Sequence, residues 1–144
     1  MGIIRDIERL DPSFKMKVKV FLNELDKAGI LYVIIETLRL PITQRVYYNQ
    51  GRLPLDAVNE GRKAIGLWAI TAKENEKRIT NTLSSKHIIG KAIDIAPGDK
   101  NGKPWWNAPD EYWLAIAKIS AKCGLEPGYF WPEFKDAPHH QESI

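Results

Sequence analysis

The sequence predicts an α+β fold: a small antiparallel sheet with helices packed on one face, formed as one domain over residues 1–144. Three observations carry that expectation. Apolar residues recur at helical spacing twice, at Phe14, Val18, Phe21, Leu22 and Leu25 and again at Trp113, Leu114, Ile116, Ala117 and Ile119. Two short apolar stretches, residues 30–35 and 92–96, read instead as strands. The second runs directly into Pro97-Gly98-Asp99-Lys100-Asn101-Gly102-Lys103-Pro104, a cluster of turn formers that reads as a hairpin or rim loop.

The first helix opens at Asp11-Pro12-Ser13, where aspartate suits the N-cap and proline the first helical position. Lys15, Lys17, Lys19 and Lys27 lie off the apolar stripe on a solvated face, and Gly29 ends the helix at a left-handed position. Ile30-Leu31-Tyr32-Val33-Ile34-Ile35 is apolar on both faces, which predicts a strand interior to the sheet. It runs into Glu36-Thr37-Leu38-Arg39, so a guanidinium stands at a strand terminus. Thr43 is expected to cap a short helix through Val46, Tyr47 and Tyr48 that stops at Gly51. A second helical stretch covers residues 53–67, Lys73-Glu74-Asn75-Glu76-Lys77-Arg78 reads as a solvated loop, and Ile79-Thr80-Asn81 as a short strand. The last helix begins at Pro109 or Asp110 and closes at Gly124. Cys123, the single cysteine, has no partner for an internal disulfide and reads as a small buried residue. Trp105, Trp106 and Trp131, like Tyr47 and Tyr48, either wall a glycan or peptide site or pack in the core.

A composition of 44% hydrophobic and 27% charged residues is that of a globular chain. The net charge of +3 suits an anionic polymer, a cell wall or a nucleic acid, without deciding between them. The lysines are scattered over helix faces and no nucleic-acid reading element is recognisable, which argues against the second. The longest apolar runs are too short to span a bilayer, and the N-terminus lacks the apolar region of a signal peptide. A chain made in the cytoplasm, with no membrane insertion, is expected.

The chemistry concentrates in Ser85-Lys86-His87-Ile88-Ile89-Gly90-Lys91-Ala92-Ile93-Asp94-Ile95-Ala96. His87 and Asp94 are ligand types suited to zinc, and Gly90 between them permits a sharp bend. In the alternating stretch that follows, Ile93 and Ile95 share one face while Asp94 points to the other, where it needs a metal, a salt bridge or solvent. The chain has three histidines, and all fall either here or in Asp136-Ala137-Pro138-His139-His140. Two histidines and an aspartate make a three-ligand set with a fourth position left for water. The alternative is a surface histidine and an inert C-terminal pair.

Ser85-x-His87-x-x-Gly90-x-Ala92-x-Asp94, followed downstream by Asp136-x-Pro138-His139, resembles the zinc peptidase family of D-Ala-D-Ala carboxypeptidases and phage L-alanyl-D-glutamate endopeptidases, the endolysins. Arg39 followed by Pro41-Ile42-Thr43-Gln44, and Tyr47-x-x-Gln50-Gly51-Arg52, also match its pattern, although Glu36-Thr37-Leu38 replaces the usual glycine and aromatic residues before the arginine. The resemblance implies one zinc per chain held by His87, Asp94 and His139, with Asp136 as the proton-transferring carboxylate and Glu133 in reserve. His139 is preferred over His140 because Asp136 then stands at the family's acid-to-histidine spacing; His140 is left to line the site or face solvent. Arg39 would hold substrate or oxyanion charge, with Ser85 and Gln44 as further substrate-binding residues; otherwise Arg39 is a surface residue beside Glu36. The implied substrate is the peptidoglycan stem peptide, cut at L-Ala-D-Glu by a monomeric, phage-type endolysin that has no separate wall-binding domain and acts on the wall after release. The alternatives are a D-Ala-D-Ala carboxypeptidase and, from another class, a non-catalytic, metal-stabilised wall-peptide binding module.

Overall fold

The computed structural model describes residues 2–143. Helix α1 (Pro12–Lys27) starts where Asp11 accepts a hydrogen bond from the Phe14 amide at 3.2 Å and ends before Gly29, whose φ is 72°. Strand β1 (Tyr32–Glu36) follows, then α2 (Pro41–Asn49), α3 (Leu55–Ala64), β2 (Ala92–Pro97), α4 (Asp110–Lys122), β3 (Leu125–Pro127) and β4 (His139–Glu142). The four strands form one antiparallel sheet in the order β1-β2-β4-β3. No helix among the described residues is long and apolar enough to cross a membrane.

One face of the sheet is the core face. Phe14, Val18, Phe21 and Leu25 of α1 meet Ile93 and Ile95 of β2, Ile116 of α4 and Leu125 of β3 in one buried cluster. On this face α1 and α4 cover the sheet, as the two periodic stretches predict. A smaller cluster of Val46, Ile65 and Leu67 joins α2 to the chain leaving α3, beside the opposite face. The loop after β2 closes as expected through an antiparallel bridge between Gly98 and Pro104. Asp99 caps that turn by accepting from the amides of Asn101 and Lys103.

Three expectations change. β1 pairs only with β2 and is an edge strand, not an interior one; it is half-buried because Ile34 packs on the core while its other face is only partly covered. Thr43 does not cap α2. The helix begins at Pro41, which needs no amide partner there, and Thr43 is buried in its first turn. Residues 79–81 are an irregular segment, since no neighbouring strand offers them a ladder.

Candidate metal centre and active site

Sheet register selects the site. β2 pairs with β4 so that Asp94 faces His139 and Ile93 faces His140. Directly opposed residues of an antiparallel pair project to the same face, so Asp94 and His139 share one face and His140 joins the isoleucines on the other. His140 is completely buried there, 2.8 Å from the Ser120 hydroxyl through Nδ1 and 5.1 Å from the Phe21 ring. Burial pushes its pKa down to about 3. It neither lines the pocket nor faces solvent: its place is the core.

His87 arrives from a turn. Gly90, with φ of 72°, lets the chain double back, and a Cβ there would come within 2.7 Å of the Asp11 amide. The segment after β1 then brackets His87: the Arg39 amide donates to its carbonyl at 3.0 Å, and its Nδ1 lies 2.7 Å from the Thr37 carbonyl. A carbonyl only accepts, so the proton sits on Nδ1 and the Nε2 lone pair is free. His139 is the mirror case. Gln141 donates its amide NH2 to Glu126, which leaves its Oε1 as the acceptor 2.9 Å from His139 Nε2. The proton is therefore on Nε2 and the Nδ1 lone pair is free.

These two lone pairs converge on Asp94. Its Oδ1 lies 3.1 Å from His87 Nε2 and 3.4 Å from His139 Nδ1, and ligand atoms of all three residues fall within 4.8 Å of one another. Tetrahedral zinc bonds of about 2.0–2.1 Å place neighbouring ligand atoms about 3.3 Å apart, so the donor set fits a zinc ion in chemistry and in spacing. Burial alone would raise the Asp94 carboxyl; where His87 and His139 carry a second proton towards Asp94 in place of a metal, their charge and hydrogen bonds overturn that and hold it far below the ordinary carboxylate range. Burial works against a charged His139, but the hydrogen bond and charge of Asp94 raise its pKa.

Around this triad lies a pocket of about 600 Å³. Asp136 lines it, its amide donating to the Gly128 carbonyl at 3.0 Å and its own carbonyl accepting from the His139 amide at 3.1 Å. Burial and the nearby Asp94 charge raise its carboxyl above the ordinary range. Arg39 lines the pocket too, its side chain 10% exposed, with Nη2 2.5 Å from Glu36 Oε1 and 3.8 Å from Asp94 Oδ2. Its Nη1 donates to Gln44 Oε1 at 2.8 Å, and its guanidinium lies 4.8 Å from the centre of the Tyr47 ring. Ser85 accepts from the His87 amide at 3.2 Å and borders the pocket. Phe134, the one non-glycine residue at positive φ among those described, sits exposed at its mouth.

A family model described as D-alanyl-D-alanine carboxypeptidase matches residues 78–142. The peptidoglycan L-alanyl-D-glutamate endopeptidase CwlK of Bacillus subtilis (strain 168) is 30% identical over 139 residues, covering 90% of this chain and 71% of its own. The chain belongs to this peptidase family. Among solved structures it is similar to the L-Ala D-Glu endopeptidase ChiX of Serratia marcescens, with a TM-score of 0.57 at 22% identity over 95% of this chain and 83% of that one. It is similar also to the vancomycin resistance D,D-pentapeptidase VanY in complex with Zn(II), with a TM-score of 0.58 at 14% identity over 92% of this chain and 72% of that one. VanYB in complex with D-alanine-D-alanine gives a TM-score of 0.59 at 16% identity, over 92% of this chain and 71% of that one. At these identities the likeness is one of fold.

Of the residues expected at the site of this peptidase, His87, Asp94, His139, Asp136, Arg39 and Ser85 all border one pocket. Gln44 is fully buried behind Arg39, so it positions the guanidinium and does not reach the pocket. Glu133 is exposed and outside the lining. Trp131 packs 5.3 Å from the His139 ring and forms a wall, whereas Trp105 and Trp106 pair with Tyr112 and Trp113 away from it. Sequence reasoning missed Glu36, Thr37, Gly128, Glu126 and Gln141. For Gln141 a signal existed: two residues beyond His139 on a strand lies the same face. For Glu36 none did, because a bulge between Ile34 and Glu36 is what sets it opposite Asp94.

Proposed function

We propose that this family member is a zinc peptidase that hydrolyses peptidoglycan stem peptides at the L-alanyl-D-glutamate bond, with residues 1–144 acting as one catalytic domain. The observation that supports it most is the convergence of three donor atoms, His87 Nε2, Asp94 Oδ1 and His139 Nδ1, beside the carboxyl of Asp136, which has no side-chain partner among the described residues, in one pocket. Zinc held by these three residues would supply Lewis acidity, activating water for attack and polarising the scissile carbonyl.

The chain's own residues do the rest. Asp136 takes the proton of the attacking water and returns it to the leaving amine; a carboxyl raised by burial and by Asp94 is the more basic for it, which suits taking and holding the proton until the amine leaves. Arg39 meets the charge that develops on the carbonyl oxygen. Glu36, Gln44 and Tyr47 fix its fork from three sides, so little reorganisation is needed during the reaction. Ser85 orients the His87 backbone and offers its hydroxyl proton to the substrate. Gln141 and Thr37 hold the two imidazoles in the tautomers a metal requires. The site is complete within one chain, which supports a monomer of endolysin type.

Two rival readings remain distinct in outcome. The family description and the fold shared with VanYB favour a D-Ala-D-Ala carboxypeptidase as the second choice. Digestion of purified peptidoglycan with zinc-loaded protein, followed by mass spectrometry, separates them. New D-glutamate amino termini are expected; release of free D-alanine alone would indicate the carboxypeptidase. Tight binding of wall peptides with no new termini would leave only a binding module.

A further inference from the structure

The substrate assigned to this pocket carries a carboxylate of its own. A D-glutamate on the leaving side keeps one carboxyl outside the peptide chain, whichever of its two carboxyls continues the stem. A leaving D-alanine keeps its terminal one. A carboxylate withdrawn from water without a partner is costly, so a cation should meet it.

Two cationic side chains line the pocket, Arg39 and Lys86. Arg39 is already committed, 2.5 Å from Glu36 and 3.8 Å from Asp94. Lys86 is different. Its ammonium donates to the main-chain carbonyl of Glu142 at 2.9 Å, while the Glu142 carboxylate is taken by Lys17. Among the described residues no carboxylate pairs with Lys86, and an ammonium with one of three protons engaged has two left to donate. Lys86 directly precedes His87 and is tethered to the end of β4, the strand that carries His139. It is therefore held between the two histidine-bearing segments, half-buried, with no carboxylate partner among the described residues.

We propose that Lys86 binds the carboxylate of the leaving residue, and that the enzyme consequently selects stem peptides in which this carboxylate is free over those in which it is amidated. The inference rests on the peptidase function proposed above. Arg39, held by Glu36 and Gln44 and assigned to the carbonyl oxygen, is not left over for this role.

Two synthetic stem peptides test it, identical except that the D-glutamate after L-alanine bears a free carboxylate in one and a carboxamide in the other. Wild type should favour the acid by about 10-fold in kcat/KM, mainly through KM, and added salt should shrink the preference. Lys86→Gln should lose that factor on the acid and change little on the amide, whereas Lys86→Arg should keep it; zinc content should be unchanged in both. Equal wild-type rates on the two peptides overturn the inference. So does a Lys86→Gln protein that still prefers the acid, or one that loses both activities alike with its zinc intact. Wild type that cuts neither peptide overturns the L-alanyl-D-glutamate endopeptidase function proposed above, and the inference with it.

Discussion

His139 and His140 are covalent neighbours, yet they belong to opposite faces of one sheet. On the pocket face, β1, β2, β4 and β3 contribute Glu36, Asp94, His139, Gln141 and Glu126, each paired with another polar group. On the core face the same strands contribute Ile34, Ile95, Ile93 and His140, packed under α1 and α4. His139 beside a carboxylate is raised in pKa, and His140 in an apolar wall is pushed down to about 3. Residue type did not decide these roles. A two-residue period did, and a slip of one position would exchange them.

Substitutions on the two faces should therefore fail in different ways. The largest effect belongs to the pocket face. Asp136→Asn keeps shape and most hydrogen bonds but cannot take a proton, so it should hold zinc and fold normally while losing on the order of 10²-fold or more in hydrolysis. Normal cutting by that variant, measured on stem peptides with its zinc intact, would move the base elsewhere. Next comes the core face. His140→Ala opens a cavity against Phe21 and abandons the Ser120 hydroxyl, and should cost about 2 kcal/mol in chemical unfolding while specific activity per zinc is kept.

Gly128 sharpens the comparison from a distance. A Cβ there would stand 2.4 Å from the Asp136 carbonyl and 3.1 Å from its Cβ, and that carbonyl also receives the His139 amide. Gly128→Ala should displace Asp136 and lower kcat by about 10-fold, and because the clash is with main chain it should also lower the unfolding midpoint. Unaltered kinetics would mean that the turn yields freely. The smallest effect is expected at Thr37, whose hydroxyl shares its one proton between the carbonyls of Asp6, at 2.9 Å, and Ile4, at 3.2 Å, while its own carbonyl orients His87. Thr37→Val should weaken zinc affinity by only a few-fold in competitive chelator titrations, since the carbonyl itself remains.

Much of the pocket face was legible in the sequence. Ligand types, the glycine bend, the alternation around Asp94 and the spacing of Asp136 from His139 are local properties, and the structure brings those residues together. The core position of His140 was less legible. The strand that decides it spans only His139–Glu142, too short for its alternation to announce itself. β1 misled in another way, because apolar composition reports burial and not the number of pairing partners, and an edge strand can be apolar on both faces. Glu36 was out of reach, since a single bulge carries it beside Asp94, and the identity of Ile35 gives no sign of it.

Zinc content tests the division between the two faces most directly. His139→Ala and His140→Ala, purified alike and dialysed against metal-free buffer, should differ sharply: His139→Ala should retain almost no zinc, and His140→Ala close to one ion per folded chain. Equal loss from both variants, with both still folded by circular dichroism, would contradict the assignment of His139 to the metal and His140 to the core.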